Sequence, residues 1–191
     1  MEFNVESSAR HIHLCERDFL ALFGEGAVLN KKRDLTLPND FLSDKKLTIL
    51  GAKRNIENVS VLGPNRAQTQ VEIAQTDAFS LGFYDVPLRQ SGDLKNSHSV
   101  SLLNPENGKQ INLAEGLIIA QRHLHITRGD ANALGLKDNE EISLQFGGAR
   151  GAVLNNVVAR LSAATVVHLD TDESNAIGGQ KTTELVKIDI L

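Results

Sequence analysis

The feature that most constrains this chain is a short stretch that it contains twice. The first copy reads Ala9-Arg10-His11-Ile12-His13-Leu14, and the second reads Gln121-Arg122-His123-Leu124-His125-Ile126. The spacing between copies is constant, since 123 − 11 and 125 − 13 both equal 112. Successive side chains of an extended backbone alternate faces, so His11 and His13 share one face, as do His123 and His125. Two imidazoles one strand period apart can share a metal ion, which adjacent ones cannot. A single HxH is unremarkable as a pair of strand histidines. Two copies that take four of the six histidines, each preceded by Arg, point to a duplicated metal-binding element.

The chain repeats around these stretches. Residues 2–14 read as an opening strand, followed by a short helix over 16–23 that Gly24 closes. Residues 46–50 and 56–62 read as a hairpin, broken by Gly63-Pro64-Asn65, and Gln70 begins another strand. Thr76 is the expected cap of a helix that ends at Gly82. Residues 83–115 have no later counterpart and carry a hairpin of 99–103 with 109–113. The second round then follows: a strand over 116–126, a helix over 127–135, a hairpin of 141–146 with 152–161, a strand over 165–170 and a helix over 172–178.

The later part of each round aligns without gaps at an offset of 96, which sets Gly51 on Gly147, Gly82 on Gly178 and Glu72 on His168. Short strands, many turns and little helix predict a mostly β fold with short α caps, built as two small β-barrels related by an internal pseudo-twofold. The expected division is 1–115 for the first barrel, including the insertion 83–115, and 116–191 for the second. The N-terminal strand is a candidate to pack with the second barrel, and the alternating tail 185–191 is expected to close a barrel edge.

Composition narrows the partners. At 191 residues, 41% apolar and 23% charged, the chain has the make-up of a soluble globular protein. A net charge of −4 without a long basic run argues against nucleic acid. A single cysteine rules out an intramolecular disulfide framework. Neither a signal-peptide pattern nor an apolar run long enough to span a bilayer is visible, so the expected location is cytoplasmic, with no membrane partner.

Each repeat adds one further potential ligand at a matched strand position. The two sets are His11, His13 and Glu72, and His123, His125 and His168. Three protein ligands with open positions left over characterise catalytic metal sites; zinc suits both sets, and cobalt, iron or manganese are admissible. With neutral imidazoles the all-histidine set leaves an ion its full +2 charge, and the glutamate set leaves +1. Arg66 precedes Glu72 by six residues, where the second repeat has Ser162, and its fork is shaped for phosphate or carboxylate. Two dissimilar cations and a guanidinium suit attack by, or on, an anion. Other HxH families fit poorly: Glu16 follows the first pair too soon for a cupin, and the HxHxDH pattern of metallo-β-lactamases is absent after His123.

A specific resemblance runs through these residues. Ser8 to Leu14, Glu57-Asn58-Val59 through Gly63-Pro64, Arg66 with Thr69 to Glu72, Ser91 to Leu94, and Ala120 to His125 occur in the order seen in one family. The chain resembles the phosphate propanoyltransferases, the PduL-type phosphotransacylases, over roughly residues 5–178. The resemblance implies two β-barrels capped by short helices, a dinuclear zinc site, coenzyme A as substrate and a homodimer. It implies that His11, His13 and Glu72 hold one zinc ion, that His123, His125 and His168 hold the other, and that Arg66 contacts phosphate. Because the first motif lies so near residue 1, the chain is similar to relatives without a microcompartment-targeting extension.

The activity so implied is reversible transfer of a propanoyl or acetyl group between coenzyme A and inorganic phosphate, with acyl-CoA and phosphate as partners. The rival enzymatic reading is a dinuclear metal-dependent hydrolase of a thioester or phosphate ester, and the non-enzymatic rival is a metal-dependent binding module. Cys15 stands where the resemblance leads one to expect serine. Its counterpart Thr127 has Asp130 three residues on, a good cap arrangement, whereas Cys15 with Asp18 is a poorer one and leaves the thiol as cap, packing group or further ligand.

Overall fold

A computed structural model of the chain describes residues 1–186, which form two compact units: residues 10–120, and residues 1–9 together with 121 onward. In chain order the elements are β1 (Glu2–Ser8), β2 (His11–Cys15), α1 (Glu16–Phe23), β3 (Lys31–Asp34), β4 (Phe41–Leu50), β5 (Ile56–Arg66), β6 (Gln70–Ile73), α2 (Gln75–Leu81), β7 (Leu88–Arg89), β8 (His98–Leu103) and β9 (Gln110–Ala120). They continue with β10 (His123–Ile126), α3 (Arg128–Leu134), β11 (Glu140–Phe146), β12 (Ala152–Leu161), β13 (Val166–Asp170), α4 (Thr171–Ala176) and β14 (Thr182–Val186).

In the larger unit, strand pairing closes a ring in the order β4-β5-β2-β6-β9-β8 and back to β4, with β3 and β7 as additional edge strands. In the smaller unit the ring runs β11-β12-β10-β13-β1-β14 and back to β11. The two rings have the same sequence of parallel and antiparallel joints. Each HxH strand lies parallel to one neighbour (β5 or β12) and antiparallel to the strand carrying the third candidate ligand (β6 or β13). That strand is parallel in turn to β9 in one ring and to β1 in the other. The register agrees as well: Val71 faces Leu117 as Val167 faces Val5.

The opening strand of each sequence repeat thus completes the other repeat's barrel. The single strands expected over 2–14 and 116–126 are each two strands, and the chain passes from one unit to the other between them. The reason lies in the alternation, which slips by one residue. Phe3 and Val5 are core residues at odd positions, and Ile12 and Leu14 are core residues at even ones. Leu117 and Ile119 give way to Leu124 and Ile126 in the same manner. One strand cannot bury both sets on one side of a sheet. The expected boundary at 115/116 falls inside β9.

Other differences are local. Strand β5 continues through Gly63-Pro64-Asn65 instead of ending there, because Gly63 pairs with Phe41 and Arg66 pairs with Cys15. The Phe41 ring covers Gly63 so closely that a Cβ would lie 2.2 Å from it. Strand β3, read from sequence as part of a turn-rich link, is exposed throughout and has no apolar alternation to reveal it. Helix α2 is capped at Ala74, not Thr76; the carboxylate of Asp77 accepts from the Ala74 N–H at 3.3 Å. The tail contributes β14, which pairs with β11 and β1 and so closes the smaller ring; the rest of the expected 185–191 run lies outside the described residues.

Candidate metal centres

In the larger unit Ile12 and Leu14 point into the barrel core, so His11 and His13 face away from it. The antiparallel register sets His11 opposite Glu72 and His13 opposite Gln70. All three candidate donors are buried, and their ligand atoms lie within 4.8 Å of one another. His11 Nε2 stands 3.7 Å from Glu72 Oε2. Burial, then the neighbouring His11 and Arg66, push the His13 pKa down to about 2, so this imidazole is a neutral donor. Its Nδ1 is buried without a hydrogen-bond partner among the described residues, a costly state for a polar atom unless a ligand uses its lone pair. These donors fit a divalent cation such as zinc.

Glu72 is held from the side by a polar network. Its Oε1 accepts from Gln70 Nε2 and, at 2.8 Å, from Ser91 Oγ. Ser91 accepts in turn from Arg66 Nη1 at 3.1 Å, and Gln70 Oε1 accepts from the Gly92 N–H at 2.7 Å. Arg66 therefore stands one residue removed from the candidate ligand Glu72. Ser91 and Gly92 come from the segment that has no counterpart in the second repeat.

The smaller unit places His123, His125 and His168 by the same strand geometry, with Leu124 turned into the core and His123 opposite His168. The three ligand atoms again lie within 4.8 Å of one another. His123 Nε2 is 3.0 Å from His125 Nε2, and His123 Nδ1 is 2.9 Å from the Gln121 carbonyl, a contact that fixes the ring. Burial, then His123, His168 and Arg160, lower the His125 pKa to about 3. Arg160 faces His125 across the β10/β12 joint and is a charged neighbour that sequence reasoning missed. Glu6 is another: its Oε2 lies 3.4 Å from His168 Nε2.

Two supporting devices occur in both units. The arginine before each HxH pairs with an acid in the helix after the third-ligand strand. Arg10 forms two 2.9 Å contacts with Asp77, and Arg122 donates to Glu173 at 2.7 Å. A threonine hydroxyl also accepts from the first backbone N–H after each HxHL or HxHI and donates to an aspartate. Thr69 does this for Cys15 and Asp18, and Thr165 for Thr127 and Asp130. Both devices were findable in sequence, because 77 + 96 gives 173, 69 + 96 gives 165 and 18 + 112 gives 130.

Cys15 is in neither donor set among the described residues. It is the N-cap residue of α1 without a side-chain cap bond, and it lines an open cleft with Arg17, Arg66, Gln68 and Thr69. His98, outside both sets, stacks on Phe83 and lies 3.3 Å from Asp85.

Residues 4–180 match the family model for phosphate propanoyltransferase. A Priestia megaterium protein named phosphate propanoyltransferase is 46% identical over 171 residues, covering 88% of this chain and 77% of the relative. A Listeria monocytogenes protein of the same name is 41% identical over 93% of this chain and 83% of its own length. One from Alkaliphilus metalliredigens is 41% identical over 96% and 86%.

Proposed function

The chain belongs to the phosphate propanoyltransferase family, a family of acyltransferases, and from that membership we propose that it transfers a short acyl group reversibly between coenzyme A and inorganic phosphate. The observation that carries the reading to named residues is the pair of three-donor sets at equivalent strand positions, one in each barrel. In this reading His11, His13 and Glu72 hold one zinc ion, and His123, His125 and His168 hold the other. Bound there, the ions supply Lewis-acid polarisation of the thioester carbonyl and positive charge for phosphate and the departing thiolate.

The protein's own groups have distinct tasks in this scheme. His13 and His125 stay unprotonated at neutral pH, so their lone pairs are available as donors. Gln70 and Ser91 fix the Glu72 carboxylate. Arg66 offers its guanidinium fork to phosphate, and its bond to Ser91 orients that fork. Hydrogen phosphate attacks the acyl carbon, the C–S bond breaks, and the proton that the phosphate gives up passes to the departing thiolate, so coenzyme A is released as its thiol. Attack by phosphate itself requires neither a nucleophilic side chain nor an acyl-enzyme. Cys15 has no covalent role in this scheme.

The experiment is thiol release from propanoyl-CoA and acetyl-CoA, with and without phosphate, on protein of measured metal content. Phosphate-dependent release with formation of an acyl phosphate is the expected result. Release at the same rate without phosphate would make the protein a thioester hydrolase. We further read it as a cytoplasmic homodimer, for which light scattering on the purified protein and fractionation of its native host are the checks.

A further inference from the structure

We propose that Glu6 is a fourth protein donor to the three-histidine centre, supplied by β1. This inference rests on the reading that a metal ion binds there. Two strand registers build a row across three strands: β1 sets Glu6 beside His168, and β10 sets His123 opposite His168. Val5, Leu124 and Val167 alternate into the core, so Glu6, His123 and His168 share the opposite face.

The spacing suits coordination. Two donors each about 2.1 Å from a tetrahedral ion lie roughly 3.4 Å apart. Glu6 Oε2 and His168 Nε2 are separated by 3.4 Å, compared with 3.7 Å for Glu72 Oε2 and His11 Nε2 in the other set. The equivalent of Glu6 in the larger barrel, read from the shared register, is Ile118, which faces Glu72 and is fully buried. Each centre thus has one carboxylate, taken from β6 in the larger unit and from β1 in the smaller. The difference of one charge read from the triads alone disappears, and both ions carry +1 with neutral imidazoles. The carboxylates differ in how they are held. The Glu6 side chain is 46% exposed and that of Glu72 only 8%, so Glu6 is the donor that an incoming anion can displace.

The test reads metal retention rather than turnover. Competition with a chromogenic chelator gives the zinc affinity of the whole protein and, in a His13→Ala background, that of the three-histidine centre by itself. Cobalt in place of zinc adds visible absorption whose intensity reports coordination number. Glu6→Gln should weaken retention at this centre about tenfold or more and alter the cobalt spectrum. Glu6→Asp should fall between Glu6→Gln and the parent. Unchanged retention and an unchanged spectrum in Glu6→Gln would overturn the assignment of Glu6 while leaving the histidine site intact. If His13→Ala protein binds no metal at all that His168→Ala abolishes, the metal reading fails and Glu6 with it.

Discussion

In the larger unit, the carboxylate beside the first HxH is buried and gripped by Gln70 and Ser91, and through Ser91 it is linked to Arg66. In the smaller unit the same strand position is His168, and Val166 takes the place of Gln70 opposite the second HxH histidine. The carboxylate there is Glu6, half in solvent, and the nearby guanidinium is Arg160 on a neighbouring strand. Identical strand rings thus carry differently wired donor sets. The ring fixes where an imidazole can point, and single residues on adjoining strands and loops decide charge and mobility. A duplicated scaffold can divide its labour in this way without altering its fold.

The largest effect should come from emptying either centre. His13→Ala and His125→Ala should each lose about one equivalent of metal by elemental analysis. Each should also lower kcat/KM about a thousandfold or more, the scale of several kcal/mol of Lewis-acid stabilisation. His98→Ala should leave metal content unchanged. If either His13→Ala or His125→Ala keeps full activity at a single equivalent, the two centres do not share the reaction.

Arg66 tests whether the wiring of the larger unit serves phosphate. Arg66→Ala should raise the KM for phosphate roughly ten- to a hundredfold with both metals retained, in line with losing charge-assisted hydrogen bonds of about 1.5–3 kcal/mol. Arg66→Lys should recover only part of this, because an ammonium cannot reproduce a two-pronged fork. Phosphate kinetics unaltered in Arg66→Ala would detach the guanidinium from the anion and leave it a structural partner of Ser91 and Asp40.

Much of this is legible in the sequence. The doubled HxH, the candidate third donors Glu72 and His168, and the helices ending at Gly24, Gly82 and Gly135 follow from spacing and local chemistry. The exchange of β9 between barrels does not, and that of β1 is visible only as a candidate, because a strand shows the same alternation whichever sheet it joins. The only clue is the one-residue slip between Val5 and Ile12, and between Ile119 and Leu124. Ser91 belongs to one of the family-like motifs, but nothing local marks it as a partner of Glu72 nineteen residues away. Glu6 reads as an ordinary exposed strand residue until the parallel β1/β13 register sets it beside His168.

The smallest expected effect concerns the turn after each HxH. Thr127 Oγ1 accepts from the Asp130 N–H at 3.1 Å and donates to its carboxylate at 2.8 Å, whereas Cys15 makes no side-chain cap bond. Cys15→Thr should therefore stabilise the larger unit by about 0.5–1 kcal/mol, and Thr127→Cys should cost the smaller unit a similar amount. Chemical denaturation at neutral pH measures both. Acid then separates the two parts of the gain. Burial alone would raise the Asp18 pKa, but hydrogen bonds from Thr69, Arg17 and Cys15 outweigh it and hold the carboxylate below its usual 3.8. Stabilisation that depends on this carboxylate is present above pH 3.8 and fades as pH falls from there through the lower folded value. The bond from the introduced threonine hydroxyl to Asp18 replaces a weaker one from the Cys15 thiol and should fade with the carboxylate charge, while the cap accepted from the Asp18 N–H has no titrating partner. The advantage of Cys15→Thr should accordingly shrink in acid without vanishing. An advantage that is the same at pH 7 and pH 3 would mean that the hydroxyl acts only as a helix cap and that the match to Thr127 is incomplete.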